Sequence, residues 1–104
     1  MKEYKGFASL LDNIDRLPDV GWLFVDSTMD RASKDSVKSA VFYTAEDDAE
    51  EVFFENSKRV FVECPTMLDI KRVVDKRAST ADLETYLEAV LYYLINDDFK
   101  EFNT

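Results

Sequence analysis

The sequence predicts an α+β domain: a small three-stranded, mainly antiparallel sheet packed against about three helices. Short aromatic and β-branched runs, GWLFVDS, AVFYT and RVFVEC, each have the length and composition of a strand. The segments before and after them repeat apolar residues at helical intervals. Two Gly and two Pro in 104 residues leave few forced turns and favour helices. The length suits one domain, residues 1–104, with a real core.

Along the chain, YKGFASLLDNIDRLP sets Tyr4, Phe7, Leu11 and Ile14 on one helical stripe flanked by Leu10 and Leu17, and Pro18 ends it. GWLFVDS follows as the first strand. Residues 26–38 are polar without a useful period and read as a long connection. Ala40 to Thr44 make the second strand, antiparallel to the first because no helix intervenes to carry a crossover.

AEDDAEEVFFEN comes next and reads as an exposed loop entering a short helix, with Asp47 or Asp48 as N-cap. Arg59 to Cys64 form the third strand. Thr66, after Pro65, is the expected cap of a helix with Met67, Ile70 and Val74 on one side and Lys71, Arg72, Lys76 and Arg77 outside. Ser79 or Thr80 is the expected cap of the last helix. Its stripe of Leu83, Tyr86, Leu87, Val90, Leu91 and Leu94 is the strongest periodic signal in the chain. The expected order is helix, strand, strand, acidic segment, strand, helix, helix.

Twenty-two acids against thirteen bases give a formal charge of −9. Such a field repels nucleic acid and anionic membranes and speeds encounter with a basic partner. One cysteine, Cys64, excludes an internal disulfide and points to a reducing compartment. No apolar run approaches the roughly 18 residues of a membrane span, and MKEYKGFASLLDN has no signal-peptide core. The expected location is cytoplasmic.

Catalytic chemistry finds little support. With no histidine, the chain lacks the commonest general base and the commonest neutral metal ligand. Gly6 and Gly21 stand alone, so there is no phosphate-binding glycine loop. Asp47 and Asp48 lack the alternating acids and central Gly of a calcium loop, and a nuclease this acidic would repel its substrate. Cys64, closing an apolar strand, reads as a buried thiol. The expectation is a protein that is not an enzyme, with no cofactor and no metal.

What remains is the acidic segment. Glu46, Asp47, Asp48, Glu50, Glu51 and Glu55 lie within ten residues with no base among them, and removing these six from −9 leaves −3. A cap needs one carboxylate, so capping leaves the density of charge unexplained. Val52, Phe53 or Phe54 is expected to pack on the sheet, with the phenylalanines as core that anchors the acids there. Tyr43 or Phe53 is the candidate anchor for a partner, and Asp97 and Asp98 are a second, weaker acidic candidate.

Three stretches, LLDNIDRLPDVGWLFVDS, FFENSKRVFVEC and LETYLEAVLYYLINDDF, cover most of the chain. In this order it resembles small bacterial immunity proteins that guard against the toxins of contact-dependent growth inhibition systems. The D-x-G-W-L-F and Y-Y-x-x-N-D-D-F patterns are the more specific parts of the likeness. The resemblance implies a cytosolic antidote without catalytic residues that binds one cognate toxin, often a nuclease with a basic cleft. Contact residues vary with the toxin in such proteins, so the resemblance assigns none here. The alternative expectation is an acidic nucleic-acid mimic or regulatory adaptor that occupies a basic nucleic-acid-binding protein. Self-association has no signature in the sequence.

Overall fold

The computed structural model describes residues 1–77 and 81–96. Among them run β1 (Lys2–Lys5), α1 (Phe7–Asp12), a 3-10 turn (Ile14–Arg16), β2 (Trp22–Val25), α2 (Lys34–Ser39), β3 (Val41–Thr44), α3 (Asp48–Ser57), β4 (Arg59–Glu63), α4 (Cys64–Arg77) and α5 (Leu83–Asn96). The class is α+β, and the sheet is antiparallel throughout in the order β1-β3-β2-β4. The expected three strands and about three helices are corrected to four strands and five helices.

The extra strand is β1, which the helical stripe through Tyr4 had absorbed. Tyr4 pairs with Phe42 across β1 and β3 and is buried, whereas Lys2, Glu3 and Lys5 are exposed. One apolar residue in four gives no alternation to read. Gly6, at φ +91°, then turns the chain so that Tyr4 and Phe7 both enter the core, which imitates a helical spacing.

The extra helix is α2, in the stretch expected to be a connection. The Ser33 hydroxyl caps it by accepting from the Ser36 N–H at 3.2 Å, but Val37 is its one buried residue, too few to set a period. Helix α4 begins two residues before the expected Thr66 cap. β4 runs into it directly, and Pro65 sits in the first turn, where its missing N–H has no partner to lose. At α5 the Asp82 carboxylate accepts from the N–H and the hydroxyl of Thr85, at 2.9 and 2.8 Å, and supplies the cap. The expected caps Ser79 and Thr80 lie outside the described residues.

The sheet has two unlike faces. Strand alternation points Leu23, Val25, Phe42 and Phe61 into the main core with Phe7, Leu10, Met67, Ile70, Leu87 and Val90 from the helices. Phe42 is its hub, with ring centroids 6.3 Å from Phe7 and 5.1 Å from Phe61. Phe24 and Tyr43 point the other way and meet Phe54 of α3 at 5.3 and 6.1 Å. The acidic helix thus lies on the face opposite the main core, fastened by one buried side chain. No helix of the described residues is long and apolar enough to cross a membrane.

Candidate partner-binding site

The acidic segment folds as α3, and its first residues have structural work. Asp47 is the N-cap, its side chain accepting from the Glu50 N–H at 2.8 Å. Glu50 reaches back to accept from the Glu46 N–H at 2.9 Å and from the Met1 ammonium at 2.8 Å, in the manner of a capping box. Glu46 takes the same ammonium at 3.1 Å. The hydrogen bond from that ammonium, and then the one from Glu46, hold Glu50 below its ordinary carboxyl range. Asp48, Glu50 and Glu51 lie in the first turn, where the helix dipole favours carboxylates.

Asp48, Glu51 and Glu55 differ. Among the described residues their carboxylates take part in no hydrogen bond or ion pair. Elsewhere Glu84 and Glu88 of α5 meet Lys34 and Lys38 of α2 at 3.1–3.4 Å and Asp75 meets Lys71 at 2.8 Å, whereas Glu3, Asp12, Asp19, Asp35 and Asp69 stand scattered without an ion pair among the described residues. What sets α3 apart is density, with three unpaired carboxylates on one ten-residue helix.

The apolar residues of the segment divide. Phe54 is 2% exposed and seats the helix, whereas Phe53 is 64% and Val52 57% exposed. Of Val52, Phe53 and Phe54, Phe54 packs on the sheet, and the expectation that both phenylalanines are core is corrected to Phe54 alone. Positions 53 and 54 lie about 100° apart on a helix, and α3 meets the sheet at Phe54, which leaves Phe53 on its flank. Tyr43, the other candidate anchor, is half-buried beneath Lys58, whose ammonium sits 4.0 Å from the ring centroid and 3.1 Å from Asp26. Of the two candidate aromatics, Phe53 is the one presented to solvent. Asp97 and Asp98 lie outside the described residues.

Beside the start of α3 opens a cleft of about 680 Å³, which brings Pro18, Val20 and Trp22 opposite Glu46, Asp48 and Glu51. Sequence reasoning placed no site residue at Val20 or Trp22. Val20 stands 77% exposed next to Gly21, whose φ of +100° is the one local signal of a special turn there.

Cys64 is buried, and burial, helped by the charge of Glu51, pushes its thiol up to about 11, so it is protonated at neutral pH. Among the described residues no three His, Cys, Asp or Glu side chains are grouped as a metal ion would need. No family model, curated protein or solved structure matches the chain.

Proposed function

We propose that this chain is an immunity protein. It binds a basic protein toxin of the contact-dependent growth inhibition type, a nuclease, in the cytoplasm and covers the toxin's active-site or substrate cleft. The observation that carries this reading is the solvent side of α3. There Asp48, Glu51 and Glu55 bear charge that no described cation offsets, on the same ten-residue helix as the exposed Phe53 and Val52. The likeness of the D-x-G-W-L-F and Y-Y-x-x-N-D-D-F stretches to immunity proteins supports the same class.

Each part has a physical role. Unpaired carboxylates in an acidic field steer a basic partner and raise its association rate, then make charge-assisted hydrogen bonds to Lys and Arg. Phe53 supplies the buried aromatic in which affinity concentrates. Capping by Asp47 and seating by Phe54 fix the helix beforehand, so little ordering entropy is lost on binding.

The test is co-purification with the product of the adjacent upstream gene, followed by rescue of cells that make that product. The triple variant Asp48→Asn/Glu51→Gln/Glu55→Gln is expected to slow association at least tenfold at low salt and to flatten its salt dependence. Failure to bind or to protect refutes the immunity reading. Unchanged kinetics in the folded triple variant place the interface away from α3.

A further inference from the structure

The cleft beside α3 has two walls of opposite chemistry, and neither is complete by itself. One wall carries Pro18, Val20 and Trp22, from the turn that leads into β2; the other carries Glu46, Asp47, Asp48 and Glu51, and Lys2 is the single cation of the lining against those four acids. The walls come close at Gly21, where an added Cβ would lie 3.6 Å from Glu51 Oε1. Val20 is 77% exposed, a branched apolar side chain held in water at the rim of an open cavity. Asp48 and Glu51 face it without an ion pair among the described residues.

Only one kind of ligand satisfies both walls. A free cation or a polycation neutralises Asp48 and Glu51 and leaves Val20 wet. A purely apolar ligand covers Val20 but strips water from two unpaired carboxylates, which is costly. A segment with apolar side chains on one side and Lys or Arg on the other does both. We infer that the cleft seats a basic amphipathic segment of a partner protein, its cations toward Asp48 and Glu51 and its apolar side chains against Val20 and Trp22.

This inference rests on the reading of α3 as the face for a basic protein and adds a second contact to it. Residues 51 and 53 are about 200° apart around the helix, so the cleft and Phe53 flank α3 on opposite sides. A partner that engages both would straddle the helix.

Trp22 is the one tryptophan in the chain; it lines this cleft and also a second hollow beside Arg31 and Thr66, so its emission reports binding and the cleft variants locate it. The probe is a 14-residue Leu/Lys peptide patterned as an amphipathic helix, titrated into the full chain. A saturable change in Trp22 emission is expected, weakened about tenfold by Val20→Ser and again by Asp48→Asn/Glu51→Gln. An all-Lys peptide and a Leu/Glu peptide of the same length are expected to give no saturable change. These substitutions lie on the surface, so the variants stay folded, which far-UV circular dichroism checks. The inference is overturned by no response to the Leu/Lys peptide, by equal affinity in Val20→Ser, or by all-Lys binding as tight. Toxin rescue that survives loss of peptide binding overturns the cleft contact and keeps the immunity reading. Peptide binding of the expected pattern without any toxin binding does the reverse.

Discussion

Two adjacent phenylalanines should respond to truncation in opposite ways. Phe54 is 2% exposed and packs against Phe24 and Tyr43 at 5.3 and 6.1 Å, whereas Phe53 is 64% exposed. Burying a Phe side chain is worth about 1.5–3 kcal/mol in transfer, and losing one from a core costs about 3–5 kcal/mol once the cavity is included. A single short helix covers this face, so the site can partly collapse, and Phe54→Ala should fall near the lower end, at about 3 kcal/mol. Phe53→Ala should change stability by no more than about 0.5 kcal/mol.

With a urea slope of about 1.5 kcal/mol/M, these become a fall in the unfolding midpoint of about 2 M and a shift under about 0.4 M. A domain of this size has about 5–15 kcal/mol of stability, so the Phe54 variant remains folded enough to measure. Toxin affinity should show the complement, with Phe53→Ala losing at least about tenfold despite its native midpoint. Equal midpoints for the two variants would refute the division of the segment into a seated and a presented aromatic. So would a Phe53 variant as unstable as the Phe54 variant.

Removing the α3 cap with Asp47→Ala should cost about 1 kcal/mol, with Asp47→Asn close to wild type, as read by thermal or urea melts. Gly21→Ala should destabilise by about 1 kcal/mol or more although its Cβ would meet nothing nearer than 3.6 Å, because the φ of +100° is the obstacle; an unchanged melt would contradict this. Asp75, held below its ordinary range by Lys71 and then by the Tyr86 hydroxyl, should lend stability above the unfolded carboxyl pKa of about 3.9 and lose it as pH falls through the lower folded value. Asp75→Asn should therefore melt earlier than wild type at pH 7, by no more than about 1 kcal/mol for so exposed a group, and the two should converge in strong acid.

The parts legible in the sequence were those where many residues share one face. α5 presents six apolar positions in register, and β2, β3 and β4 are dense in aromatic and branched side chains. β1 and α2 stayed hidden because each commits one residue, Tyr4 or Val37, to the core. Their existence depends on pairing with β3 and packing on α1 and α5, which local pattern does not encode. The acidic run was plain as composition, and its capping role was anticipated at Asp47 or Asp48, of which Asp47 holds it. Which phenylalanine faces out was not, since that depends on where the helix begins. The cleft was out of reach altogether, because it exists only when Val20 is brought opposite Glu51, thirty-one positions further on.

The seating of α3 by one buried side chain, Phe54, on the face away from the main core, bears on how such a surface can diversify. Substitutions on its outer side touch neither the packing of α1, α4 and α5 nor the ladder of the sheet. Charge and shape there can be rewritten against a changing partner while the folding free energy stays nearly constant. The same isolation lets the helix lift off in a local opening well short of global unfolding, so its amides should exchange before those of the strands beneath. If the outer side of α3 is the face for a partner, as proposed, recognition and stability in this domain fall to separate sets of residues, free to vary at different rates.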